Sequence, residues 1–218
     1  MFLINAIYFN GSWQLAFDPD DTQDASFHLA DGDESIVKMM MMTEDSLRYH
    51  ETETYQAVDL LYGDGTFSMA VVLPKGDATP ASFIELLDSE MWNQWTSDFQ
   101  VQKIGLRLPK FKIEWESSLV DALSSLGMGV AFDSDLADFS RLSAEQLYIS
   151  GVTQKTFVDV HEKGTEAAAV TVVTMAMTSV GPSYPIMRVD RPFLFAIRER
   201  SSGALLFVGK MMDPAAAP

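Results

Sequence analysis

The side chains of this 218-residue chain that could do chemistry do not converge on a catalytic constellation. Histidine is the usual proton shuttle and metal ligand near neutral pH. Only His28, His50 and His161 are present, without an H-E-x-x-H pair to set two ligands on one helix face. No G-x-S-x-G elbow presents a serine, and the absence of cysteine removes both thiolate chemistry and disulfides. Gly203 to Lys210 resembles a phosphate loop in outline. Its spacing is one residue too long and Met211 stands where Ser or Thr belongs, so a strand is expected there. The acidic groups Asp18, Asp20, Asp21 and Asp31, Asp33, Glu34 lack the glycine and terminal glutamate of a calcium loop and read as solvated turns. Met39 to Met42 reads as core packing on a strand. No cofactor, no metal and no enzymatic activity are expected.

A different kind of signal lies in Glu162-Lys163-Gly164-Thr165-Glu166-Ala167-Ala168-Ala169-Val170-Thr171. Small and β-branched residues with almost no charge suit a buried strand. The Gly and Pro flanks, and the apolar but interrupted run from Val172 to Pro185, suit an exposed loop. A segment suited to two states is a candidate switch. In a strand, Thr165, Ala167, Ala169, Thr171, Val173 and Met175 would share one face, and Glu166, Ala168, Val170, Val172 and Thr174 the other. The small leading residues could enter a crowded sheet without overpacking the core beneath.

This stretch resembles the hinge of the reactive-centre loop of serpins, the protease inhibitors that insert that loop into their own β-sheet. Met187-Arg188-Val189-Asp190-Arg191-Pro192-Phe193-Leu194-Phe195-Ala196-Ile197 resembles the serpin C-terminal signature, and Gly203 to Pro214 continues as a serpin's last strand does. Phe2-Leu3-Ile4-Asn5-Ala6-Ile7-Tyr8-Phe9-Asn10-Gly11-Ser12-Trp13 resembles the third strand of the family's main sheet. The motifs run in family order from Phe2 to Pro214.

The resemblance implies an α+β, multi-sheet serpin-like fold. It implies one domain over residues 1–218, a C-terminal portion in which the N-terminal helices and first strands have no counterpart, with an exposed reactive-centre loop at about 162–185. The implied hinge is Glu162, Gly164, Thr165, Glu166, Ala167, Ala168, Ala169, Val170 and Thr171. Asn5 and Gln154 match the shutter of the main sheet, Gln154 standing where serpins carry a histidine. An amide still donates and accepts, but it does not titrate near neutral pH, so a pH-gated shutter is not expected. Lys110 and Glu162 match an ion pair beside Trp13 where the loop begins to insert; the plain alternative is a surface pair of ~0–1 kcal/mol.

Function follows from the same resemblance: a serine protease inhibitor acting as a suicide substrate through cleavage and insertion of the loop. Hinge spacing puts the reactive bond at Thr178-Ser179, with Met177 and Met175 as secondary sites. No Lys or Arg lies nearby, which points to elastase-like or subtilisin-like proteases as partners. A non-inhibitory carrier, storage or interaction protein, or an inactive fragment, is the alternative. The absence of bulky, charged or proline residues from Thr165, Ala167, Ala169 and Thr171 favours inhibition. The family implies an extracellular location, although no signal peptide is expected because Met1 opens directly into strand-like sequence.

Composition agrees. A net charge of -16 opposes binding to nucleic acid or to anionic membrane, and 47% hydrophobic residues suffice for a sizeable core. No apolar run is long enough to span a bilayer. The elements expected to carry the motifs are a buried strand at Phe2 to Phe9, strands within Ser26 to Met42 and Leu47 to Leu73, and a helix from Thr79-Pro80 with Phe83, Leu86, Leu87 and Met91 as its apolar stripe. Beyond it come a strand at Val101 to Ile113, a helix at Ser117 to Leu126 stopped by Gly127, a long strand at Leu147 to Val160, and a hairpin of Phe193 to Ile197 with Ala204 to Val208.

Overall fold

The computed structural model describes residues 1–86, 88–165 and 183–216. In chain order the strands are β1 (Phe2–Tyr8), β2 (Gly11–Ser12), β3 (Gln23–His28), β4 (Glu34–Glu51), β5 (Tyr55–Tyr62) and β6 (Phe67–Pro74), then helices α1 (Pro80–Leu86) and α2 (Ser89–Ser97). They are followed by β7 (Gln100–Pro109), β8 (Phe111–Ser118), α3 (Val120–Leu123), β9 (Gly151–His161), β10 (Gly164–Thr165), β11 (Ile186–Arg188), β12 (Phe193–Glu199) and β13 (Leu205–Met211). The chain divides into two compact units, Met1–Phe9 with Lys112–Val158, and Asn10–Phe111 with the chain from Asp159 on.

In the first unit β1 runs parallel to β9, from Phe2 opposite Gly151 to Tyr8 opposite Phe157, and β8 pairs with β9. The expected buried strand is a strand, but it is not buried: Phe2 is 57% and Ile4 66% exposed on one face, and Leu3 40% on the other. Among the described residues it pairs with β9 alone, and its nearly continuous apolar run has no layer packed over Phe2, Leu3 or Ile4. The strand expected from Leu147 begins at Gly151, because the Ile149 and Ser150 amides donate instead to the Ala131 and Met1 carbonyls. The helix expected over Ser117 to Leu126 is cut to one turn, α3. A wider turn over Ser124–Met128 follows it, with Gly127 at φ 99°. That left-handed conformation suits glycine and ends regular helix.

The second unit is built on a sheet of order β11-β7-β4-β5-β6-β12-β13, with β3 added against the start of β4. β5 and β6 are central and nearly continuous in apolar residues, so both of their faces are buried. β4 is one 18-residue strand, where the sequence suggested a break after Met42; a register shift between Glu44 and Leu47 lets it bend without ending. Met39 and Met40 are core residues. The long strand expected at Val101 to Ile113 is interrupted at Lys110, whose amide bonds to the Lys38 carbonyl; beyond it the chain leaves β4 and pairs with β9 as β8.

The single helix expected after Pro80 is two helices. Asp88 Oδ1 accepts from the Met91 amide at 2.8 Å, so Asp88 caps the second rather than continuing the first. Leu87 lies outside the described residues. Phe83 and Trp95 from the two helices meet Tyr55 with ring centroids 5.4–5.7 Å apart, which fixes the pair on the sheet. The hairpin of β12 and β13 forms as expected, with Phe193 opposite Met211. Asp59 on β5 is fully buried and takes charge-assisted bonds at Oδ2 from Arg198 on β12 (3.0 Å) and Arg48 on β4 (3.2 Å).

Candidate functional site

Two sets of the anticipated residues are brought together, one in each unit. In the first, Asn5 stands directly opposite Gln154 in the parallel β1–β9 register. Residues opposite one another share a face of the sheet, so the two amides are immediate neighbours, with Asn5 exposed and Gln154 half-buried.

In the second unit the chain leaves β9, turns at Glu162-Lys163 and comes back as β10, antiparallel to the end of β9 and to β2. Gly164 is needed for this return. Its φ is 141°, and a Cβ there would lie 2.2 Å from the Gly11 carbonyl oxygen. Trp13 anchors the turn from both ends of its own residue: its amide donates to the Lys163 carbonyl at 3.0 Å and its indole Nε1 to the His161 carbonyl at 2.9 Å. Its ring stacks on Tyr62 with centroids 4.3 Å apart.

Glu162 is buried to 8% exposure, and Lys110 Nζ reaches its two carboxylate oxygens at 2.9 and 3.2 Å. Thr22 Oγ1 donates to Oε1 at 2.9 Å, and the Glu162 carbonyl accepts from the Phe17 amide. Burial works against the charged carboxylate, but the bonds from Lys110, from its own backbone and from Thr22 together outweigh it, and the pKa falls below the ordinary value. The exposed surface pair considered from the sequence is therefore set aside: only the lysine end is solvated.

The sequence reading missed Tyr62 and Thr22. Tyr62 Oη lies 2.8 Å from Thr165 Oγ1, and both residues are buried. Burial pushes the Tyr62 phenol well above its usual value, so it stays a neutral hydrogen-bonding group. The one available signal was the strand pattern that turns Tyr62 inward just before the Gly63-Asp64-Gly65 turn. Of the anticipated hinge, Glu162, Gly164 and Thr165 are placed as described. Glu166, Ala167, Ala168, Ala169, Val170 and Thr171, and the reactive-bond candidates Thr178, Ser179, Met177 and Met175, lie outside the described residues.

The family model Serpin (serine protease inhibitor) matches residues 1–214. This chain belongs to the serpin family. Among its relatives, plasminogen activator inhibitor 1 of Neovison vison is 37% identical over 221 residues, covering 98% of this chain and 54% of the relative. Neuroserpin of Homo sapiens is 34% identical, covering 97% and 53%. The native-state structure of tengpin, a thermophilic serpin, superposes with a TM-score of 0.84 at 30% identity, covering 97% of this chain and 55% of tengpin. Native protease nexin-1 crystallised with heparin gives 0.83 at 32%, covering 98% and 56%. This serpin sequence thus spans about half the length of the curated relatives it matches, as a C-terminal portion. Its mixed sheets with few helices are the α+β serpin-like fold.

Proposed function

We propose that this serpin chain serves in the inhibition of a serine protease by a suicide-substrate mechanism, and that its two compact units are parts of one serpin domain. The observation that carries the reading is the parallel pair β1–β9, with Asn5 beside Gln154. The chain leaving β9 reverses direction at β10. A strand continuing that way would be antiparallel to both β1 and β9. Entering between them, it exchanges one parallel ladder for two antiparallel ones, and antiparallel pairing is the more stable per residue. Apolar surface buried by the new strand adds ~25 cal/mol per Å².

In this reading a protease acylated at Thr178-Ser179, or at Met177 or Met175, is carried with the loop as it inserts. The hinge from Glu162 to Thr171 must be small enough to enter. No Lys or Arg lies between Lys163 and Arg188, which supports an elastase-like or subtilisin-like target in the extracellular space rather than a trypsin-like one. Protein mass spectrometry after elastase treatment tests the bait: cleavage at Thr178-Ser179 is expected, and cleavage confined to sites outside Ala176 to Val180 rejects it. Trapping is tested in this chain extended N-terminally with the complementary half of a serpin relative. Ala169→Arg, which buries an unpaired charge only in the inserted state, should abolish the denaturant-resistant complex while cleaved product accumulates; an undiminished complex rejects insertion of Ala169.

A further inference from the structure

Asn10 and Gly11 form an Asn-Gly step at the strand on which β10 is laid. Asn10 is exposed, and Gly11 opens β2 directly opposite Thr165. Glycine following asparagine favours deamidation, because no side chain obstructs the attack of its backbone nitrogen on the preceding side-chain amide. We infer that Asn10 is a deamidation site gated by the docking of Gly164-Thr165 on β2.

The step balances with water alone. The Gly11 nitrogen gives up its proton and bonds to Asn10 Cγ, the Cγ–Nδ2 bond breaks, and ammonia leaves. Water then opens the resulting succinimide at either carbonyl, giving aspartate or isoaspartate.

Docking controls the nucleophile. Antiparallel ladders alternate hydrogen-bonded and non-bonded pairs with a period of two residues. The Trp13 amide donates to the Lys163 carbonyl at 3.0 Å, so Gly11 opposite Thr165, two residues on, belongs to the same bonded class. A nitrogen held as a ladder donor in extended backbone can neither lose its proton readily nor swing onto Cγ. Undocking of β10 frees it. The product in turn opposes redocking: isoaspartate lengthens the backbone by a methylene immediately before β2, and either product adds a carboxylate there. The contact is unforgiving, since a Cβ on Gly164 would already lie 2.2 Å from the Gly11 oxygen.

The reaction itself does not depend on protease inhibition; only its consequence for a hinge rests on that proposed function, and a mass readout keeps the two apart. The full chain is incubated at mildly alkaline pH, and conversion of Asn10 is followed by peptide mass spectrometry and isoaspartyl methyltransferase labelling, natively and in urea. Asn5, followed by Ala, and Asn93, followed by Gln, are internal controls. Conversion should be confined to Asn10, severalfold slower in the native chain than in urea. It should rise toward the unfolded rate in Gly164→Ala, which blocks docking. Tyr62→Phe keeps the ring stacked on Trp13 while removing the bond to Thr165, and should give an intermediate rate in a chain with a native circular dichroism spectrum. The inference is overturned if Asn10 is unreactive even in urea, if native and unfolded rates coincide, or if folded Tyr62→Phe converts no faster than the unaltered chain.

Discussion

The hydroxyls of Tyr62 and Thr165 lie 2.8 Å apart in a buried site, joining the end of β5 to the short strand β10. Thr165→Val keeps the shape of the side chain and removes this bond. A loss of about 1 kcal/mol in unfolding free energy is expected, the net worth of a neutral buried hydrogen bond. Urea titration checks it, and an unchanged midpoint would show that the bond contributes nothing to holding β10.

Glu162 ties stability to pH. Its folded pKa is depressed, so the stability it contributes is fully present above the ordinary value of 4.5 and is lost as pH falls through the lower folded value. Lys110→Met removes the larger of the side-chain bonds that hold the carboxylate charged. The variant should lose about 1–3 kcal/mol at neutral pH, and part of the difference from the parent should vanish below the carboxylate range. Denaturation midpoints measured at neutral and acid pH compare the two; parallel pH profiles would refute the coupling.

Arg198→Met leaves Asp59, which is wholly buried, with the partly exposed Arg48 as its one charged partner among the described residues. Breaking one side of a buried pair is expected to destabilise by about 3 kcal/mol, because the remaining charge stays desolvated. Replacing both groups, Asp59→Leu with Arg198→Met, should recover most of that loss. Chemical denaturation of the two single variants and the double variant measures the coupling, and strict additivity would contradict it.

The chain of residues 1–218 alone should fail to trap a protease. Trapping requires a sheet that gains stability when a strand enters it, yet Phe2, Leu3, Ile4 and Tyr8 are all substantially exposed on β1. Such a strand favours self-association. Light scattering together with a denaturing gel after elastase treatment provides the check. A monodisperse chain giving covalent complex in good yield would mean that the sheet is already complete.

What could be read along the chain was whatever depends on near neighbours. The β12–β13 hairpin follows from alternation and turn chemistry over a few residues. The order of the motifs came from family resemblance. The Lys110–Glu162 pair came from family resemblance, and its burial did not. Thr22 reaches Glu162 across 140 residues and Tyr62 reaches Thr165 across 103. No local pattern encodes such contacts, because they arise only when separate strands are brought into register. The errors share a physical cause. Asp88 was read as a helix interior because the apolar spacing runs through it, whereas its side chain caps a new helix; Lys110 was read inside one strand because β-propensity does not sense a change of partner. Phe2 to Tyr8 is nearly continuous in apolar residues, as a strand buried on both faces should be, but burial depends on what lies over each face, and that is set by neighbouring layers rather than by the strand's own residues.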